Sequence, residues 1–217
     1  MTEADAGASV VEVEARQALA EGRHDAFTNV VLRGYGKEIL SFISAMQRHD
    51  DDAAEVFAQF AEGVWRSAAQ FRDHSSVRTW AYAIARRASL HHRRDKKRRE
   101  KRFVAFADHP VLSELEAQVR TETLTFLRTE RMSKLAALRA SLPERERELL
   151  MLRVDRRLAW QDLARVLADE GELESEVELK KRAARLRKQF QALKERLRAA
   201  AKHEGLLEPD AEPEVRR

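Results

Sequence analysis

Residues 73–102 read DHSSVRTWAYAIARRASLHHRRDKKRREKR and are the stretch around which the rest of the chain is organised. A polar loop runs into apolar residues that recur at helical spacing, namely Val77, Trp80, Ala81, Ile84 and Ala88. From His91 to Arg102 the predicted helix becomes almost purely basic. A folded core cannot use such a density of positive charge, whereas a phosphate backbone can. The stretch therefore predicts a nucleic-acid-binding surface on a helix whose N-terminal part is anchored by a tryptophan.

The composition indicates a helical protein. The 217 residues include only 7 Gly and 4 Pro, and 36% of them are charged. The absence of cysteine excludes disulfides, thiolate metal sites and a cysteine nucleophile. Since the chain shows neither an apolar run of membrane-spanning length nor a secretory leader, we expect a cytoplasmic, nucleoid-associated protein with no membrane partner.

We predict an all-α fold of two small helical domains joined by a linker, the second containing a helix-turn-helix. Residues 1–22 form an N-terminal lead that is either a frayed helix or a flexible segment. A first helical domain follows over residues 23–102, and residues 103–112 form the linker. The second domain takes residues 113–203, and residues 204–217 form a disordered tail.

Local signals place several helix ends. Asp25 is a candidate N-cap for the first core helix, and Gly34 and Gly36 weaken the middle of that helix, which leaves a kink or a division into two pieces open. Pro143 occupies the preferred first position of a helix, with acidic residues following it.

The second domain ends in a short helix around Trp160, an acidic loop and a long basic helix. This order is typical of a helix-turn-helix, in which the second helix enters the major groove of DNA. The basic residues early in that helix are Lys180, Lys181, Arg182, Arg185, Arg187 and Lys188. Their alternative role, as solvated positions on an amphipathic helix, stays open.

In the first domain, basic side chains lie beside aromatic ones: Arg78 and His74 close to Trp80 and Tyr82. Melted or single-stranded nucleic acid needs such a combination, because unstacked bases need a flat partner or a pocket and phosphates need charge. Trp80 on its own is more simply explained as a core residue spaced with Val77 and Ile84, and both interpretations hold if one edge of its indole is buried.

Enzymatic and metal-binding functions are not favoured. The sequence has no phosphate-binding glycine loop, no nucleophile elbow and no HExxH. His91 and His92 lie in a basic run that repels a cation. We therefore expect no catalytic residue, no metal and no cofactor.

Two segments together resemble a known family. Residues 64–94, VWRSAAQFRDHSSVRTWAYAIARRASLHHRR, are similar to region two of bacterial sigma-70 factors of the extracytoplasmic-function (ECF) subfamily. The segments LRASLPERERELLMLRVDRRLAWQDLARVL and ELKKRAARLR resemble region four. The chain differs from the family at Glu55 and Ala58, where an aspartate and a glutamine are usual, and at Arg87, where an asparagine is usual.

The resemblance implies a transcription initiation factor without catalysis, whose partners are core RNA polymerase, promoter DNA and, where one exists, an anti-sigma factor. The polymerase-binding residues that it implies are Glu55, Gln59 and Glu62. The residues implied for the minus-ten element are His74, Ser75, Ser76, Arg78, Trp80, Tyr82, Arg86, Arg87, Arg93 and Arg94. The basic helix after Glu178 would read the minus-thirty-five element in the major groove.

Two alternatives remain open from the sequence. One is a sigma-like helix-turn-helix regulator that does not engage polymerase. The other is a basic helical module that docks on RNA or on an acidic protein, for which binding would depend on salt but not on sequence.

Overall fold

The computed structural model of the chain describes residues 3–47, 50–95, 138–168 and 175–203. Within these ranges the helices are α1 (Glu3–Ala20), α2 (His24–Met46), α3 (Asp50–Ser67), α4 (Val77–Asp95), α5 (Glu144–Leu150), α6 (Trp160–Val166) and α7 (Glu176–His203). No strand occurs among them, so the prediction of an all-α fold is confirmed. The predicted linker, the first part of the second domain and the tail lie outside the described residues.

The N-terminal segment is a helix packed on the protein. In α1, the side chains of Ala15 and Ala18 are buried, and the helix packs along α2. Gly34 permits this close approach, since a β-carbon at that position would lie 2.6 Å from the γ-carbons of Val11. The glycine therefore serves packing between helices, and α2 runs unbroken through it.

Helices α2, α3 and α4 pack against one another around an aromatic-rich core. The largest fully buried side chains of this part are Tyr82, Phe27, Phe42, Phe57 and Phe60. Asp25 is not the N-cap of α2, because the helix begins one residue earlier and Arg23 takes the cap position. Its carboxylate instead accepts a hydrogen bond from Trp65 Nε1 at 2.8 Å, which ties the start of α2 to the end of α3.

The C-terminal helical part, α5 to α7, begins as its sequence predicts: Pro143 precedes α5, and acidic residues fill the first turn. A π turn (Met151–Asp155) ends α5, and Arg157 then adopts a left-handed conformation with φ of 54°. Helix α6 packs against α7 around buried side chains, which include Leu163, Ala164 and Leu186. A short helix followed by a long one, in this packing, is compatible with a helix-turn-helix.

The contact of α1 with α2 can be tested by replacing Gly34 with leucine. Because leucine is a good helix former, any loss reflects overpacking against Val11, and we expect the free energy of unfolding to fall by about 1–3 kcal/mol. Urea unfolding measures it. Arg33→Leu at the adjacent exposed position is the matched control. If Gly34→Leu is as stable as that control, α1 does not pack on α2 as described.

Candidate nucleic-acid interface

The loop of residues 73–76, which sequence analysis proposes as a base pocket, is fixed at both ends. At its start, Asp73 has a left-handed φ of 59°, and its carboxylate lies 2.8 Å from Arg16 Nη2. At its end, Ser76 caps α4, because its Oγ accepts a hydrogen bond from Thr79 N at 3.0 Å. His74, between these ends, is exposed, and Ser75 is half-buried. The loop therefore presents polar side chains from a held backbone.

Trp80, in the first turn of α4 after this loop, belongs to an aromatic cluster. Its ring centroid is 5.6 Å from that of Phe27 and 5.4 Å from that of Phe71, both with the edge-to-face geometry that aromatic pairs prefer. The side chain is half-buried. Trp80 is thus a core residue with an accessible part, which satisfies both interpretations of its position in the sequence.

Arg78, in the first turn of α4, is engaged on several sides. It forms a bidentate pair with Glu38 of α2, with Nε to Oε1 at 2.7 Å and Nη2 to Oε2 at 2.9 Å. Its guanidinium carbon lies 5.4 Å from the centroid of the Tyr82 ring, and Nη2 also donates to the carbonyl of Arg156 at 3.0 Å. Burial opposes the charge of this group, but the bonds to Glu38 outweigh it and raise the pKa of Arg78. The side chain is therefore held charged in a fixed position.

The C-terminal helical part covers one face of α4. Helix α6 packs against α4, and α5 packs against α2. Arg86 is only 5% exposed, with its Nε 3.4 Å from Glu148 Oε2, and Arg93 pairs with Glu144. Arg156 Nη2 also donates to Ser41 Oγ at 2.6 Å. In this arrangement, two carboxylates from α5 neutralise two arginines of the basic helix.

The residues implied for minus-ten DNA fall into two groups in the structure. One group is at least partly exposed and consists of His74, Ser75, Ser76, Trp80, Arg87 and Arg94. The other is buried or bound within the protein and consists of Arg78, Tyr82, Arg86 and Arg93. The DNA-binding role of each residue stays a prediction.

The residues implied for polymerase binding lie along one half-buried face of α3. Gln59 Nε2 donates to Glu55 Oε1 at 3.4 Å, and Glu62 pairs with Arg66 one turn on. Glu55 also lies 3.5 Å from His92 Nδ1, and the other ring nitrogen of His92 lies 3.2 Å from Asp52. The acidic start of α3 is therefore joined to the basic end of α4.

The basic residues of α7 differ in their surroundings. Arg182 is half-buried and donates to the carbonyl of Leu167, which holds α7 to the end of α6. Arg187 lies over the Trp160 ring at 5.8 Å, and Lys180 pairs with Glu176 at 3.0 Å. The remaining basic residues of the set, Lys181, Arg185 and Lys188, are exposed. Exposed positions that lie close together on one helix suit contact with a polyanion.

Among the described residues, no group of three His, Asp or Glu side chains could hold a metal ion. No helix in the same ranges is long and apolar enough to cross a membrane.

Comparison with known proteins finds similarity to sigma factors. Residues 31–99 match the family model of sigma-70 region 2, and this match contains α3, loop 73–76 and α4. The chain is also 27% identical over 136 residues to the RNA polymerase sigma factor YlaC of Bacillus subtilis (strain 168). This alignment covers 62% of this chain and 76% of that protein. Residues 31–99 are therefore a sigma-70 region 2 segment.

These two matches confirm the resemblance to sigma-70 factors of the ECF subfamily. Members of the family are transcription initiation factors and not enzymes, so this sigma factor has the general function that the resemblance implied. No solved structure matches the chain.

Sequence reasoning missed the residues that hold the first turn of α4. Glu12 and Arg16 lie in the segment to which no role was assigned, and Glu38 was not singled out on α2. A signal for α1 did exist, because Val11, Ala15 and Ala18 recur at helical spacing and indicate a buried stripe. No local pattern indicates which partner Glu12 reaches.

The packing of α5 on α4 should depend on pH through Glu148. Burial raises the pKa of this carboxyl, the neighbouring Glu144 adds to the rise, and Arg86 and Arg93 oppose it. Because the folded state binds this proton more tightly than the unfolded chain does, its contribution to stability is full below the ordinary carboxyl pKa, is lost as pH rises from there to the raised pKa, and no longer changes above it. The loss amounts to about 1.4 kcal/mol per unit of pKa difference.

Urea unfolding from mildly alkaline to mildly acidic pH measures this dependence. Glu148→Gln, which keeps the shape and removes the titration, should flatten that part of the profile. An unchanged profile in the variant would exclude Glu148 as its source.

Proposed function

We propose that this sigma factor binds core RNA polymerase and directs it to specific promoters, with loop 73–76 and α4 on melted minus-ten DNA and α7 on duplex minus-thirty-five DNA. The observation that carries the proposal is the position of this loop within the region 2 match. There the loop carries the exposed His74 and leads directly into the basic helix α4, whose Trp80 belongs to an aromatic cluster. Such a protein acts at the nucleoid of the cytoplasm.

The minus-ten role follows from the chemistry of captured bases. A base that leaves the stack needs a polar pocket and an aromatic or apolar wall, while its phosphates need nearby cations. His74 and Ser75 supply polar groups, Trp80 supplies a wall, and the exposed Arg87 and Arg94 supply charge further along α4. Affinity on this surface then comes from the arginines and selectivity from the loop.

The minus-thirty-five role rests on α6 and α7. The first helix of a helix-turn-helix supports the second, whose N-terminal half reaches the edges of the bases. Here, Arg182 fastens the two helices together, so the exposed Lys181, Arg185 and Lys188 are the residues free to face a groove. An arginine in that position can make bidentate contacts to guanine.

In the structure, the C-terminal helical part covers the face of α4 that the proposal assigns to DNA, and we call this arrangement closed. Arg86 and Arg93 meet carboxylates of α5 where the proposal requires phosphates. Engagement of DNA by this face of α4 therefore needs α5 and α6 to move away, while the face of α3 with Gln59 and Glu62 keeps partial exposure for polymerase. An anti-sigma factor, which the resemblance implies as a further partner, would act by favouring a closed form.

One observation favours the regulator that does not engage polymerase. On α3, Glu55 is joined to His92, and Ala58 has no polar group at the position where the family usually has glutamine. Polymerase binding is the property that separates the two candidate functions.

Reconstituted transcription tests the proposal. Added to bacterial core RNA polymerase, the purified chain should co-elute with it and direct initiation from a limited set of promoters. Core enzyme alone is the control, and start sites are mapped by sequencing of the transcripts. A chain that neither co-elutes nor changes the start sites is not a promoter-specificity subunit.

Arg185→Ala tests groove recognition by α7. Loss of a base contact should weaken binding to the upstream duplex element by about 1–3 kcal/mol, and only on the cognate sequence. Binding to cognate and scrambled duplexes is measured by fluorescence anisotropy with the holoenzyme. Arg198→Ala, exposed on the same helix but far from its start, should leave binding unchanged. Equal loss on both duplexes would assign Arg185 to phosphate contact alone.

A further inference from the structure

Glu12 of α1 accepts three hydrogen bonds, two from the first turn of α4 and one from α2. Its Oε2 accepts from Val77 N at 2.9 Å, and its Oε1 accepts from Arg78 N at 2.9 Å. The hydroxyl of Tyr35 on α2 donates to Oε1 at 3.1 Å. Burial and the neighbouring Glu12 carboxylate raise the pKa of Tyr35, so that the hydroxyl remains a donor. One carboxylate of α1 thus joins α2 to the first turn of α4.

These bonds meet a specific need of α4. The first N–H groups of a helix have no partner within the helix, and the positive end of the helix dipole favours a carboxylate. The Ser76 hydroxyl accepts from Thr79 N and the Ser76 carbonyl accepts from Trp80 N. The amides of Val77 and Arg78 donate instead to Glu12. The point at which loop 73–76 becomes helix is therefore set by a residue from a distant part of the chain.

Arg16, one turn further along α1, acts on the other end of the loop. Its Nη2 lies 2.8 Å from Asp73 Oδ1 and 3.6 Å from Glu12 Oε2. Asp73 has a left-handed backbone, a conformation that residues other than glycine adopt uncommonly and that its surroundings help to maintain. Glu12 and Arg16 together hold both ends of the loop whose middle residues, His74 and Ser75, remain for a ligand.

We infer that Glu12 and Arg16 are positioning residues for minus-ten recognition, acting through the shape of loop 73–76. The inference rests on the proposed function of that loop, and it assigns a role to a helix that precedes the matched residues 31–99. A loop that already has its bound shape loses less entropy when it takes up a base, so release of either end weakens capture without removing a contact to DNA.

The test uses holoenzyme assembled with Glu12→Gln or Arg16→Gln. Glutamine at position 12 keeps only one of two carboxylate oxygens, and glutamine at position 16 removes the ion pair. We expect about tenfold weaker binding of a single-stranded minus-ten oligonucleotide for either variant. Binding of the upstream duplex and of core polymerase should stay at the level of the unchanged chain. Glu14→Gln, exposed on the same helix, is the matched control, and Arg16→Lys should restore part of the binding.

Two outcomes overturn the inference. One is minus-ten binding by Glu12→Gln and Arg16→Gln at the level of Glu14→Gln. The other is an equal loss of upstream-duplex and polymerase binding, which would show a general structural role for α1. Failure of the unchanged chain itself to bind core enzyme would instead contradict the proposed function.

Amide hydrogen exchange in the free protein tests the geometry independently of polymerase. The amides of Val77 and Arg78 should exchange faster in Glu12→Gln than in Glu14→Gln. Equal exchange in the two variants would exclude the hold of Glu12 on α4, whatever the protein does at a promoter.

Discussion

The first turn of α4 is held by carboxylates from two other helices, Glu12 from α1 and Glu38 from α2, and the rest of the interface depends on it. Glu12 satisfies backbone N–H groups, while Glu38 fixes the guanidinium of Arg78. Since α4 follows loop 73–76 directly, these contacts set both the loop and the direction of the basic residues along the helix. The aromatic cluster of Phe27, Phe71 and Trp80 then packs the start of α4 against α2 and against the segment before the loop.

Under the proposed function, the positive charge of α4 would serve two states of the protein. In the structure described, Arg86 and Arg93 are matched by Glu148 and Glu144, while on DNA the same side chains would meet phosphates. Taking one partner from a buried ion pair is costly, because the remaining charge stays without water or a counterion. Exchange of a carboxylate for a phosphate avoids that cost, so the closed and DNA-bound forms can be close in free energy.

Much of the fold could be predicted from the sequence because helical periodicity is local. Low Gly and Pro content, the apolar stripe from Val77 to Ala88 and Pro143 before α5 all act within a few residues. Contacts between helices could not be predicted in this way: Gly34 was interpreted as a weak point of α2, although it makes room for Val11. The same holds for the candidate interface, where composition indicated which residues are basic but not that Arg86 is buried against Glu148.

The contact of Glu12 with Val77 joins residues 65 positions apart and has a consequence for folding. During synthesis, α1 emerges first, yet the backbone groups that its carboxylate binds emerge only after α2 and α3 are complete. Closing so long a loop costs conformational entropy, and the stabilising contact forms only after the loop has closed. Loop 73–76 therefore acquires its shape late, and a nascent chain that ends before α4 exposes α1 with its polar group unmatched. Under the proposed function, the growing chain would become able to bind melted promoter DNA only once this helical part is complete.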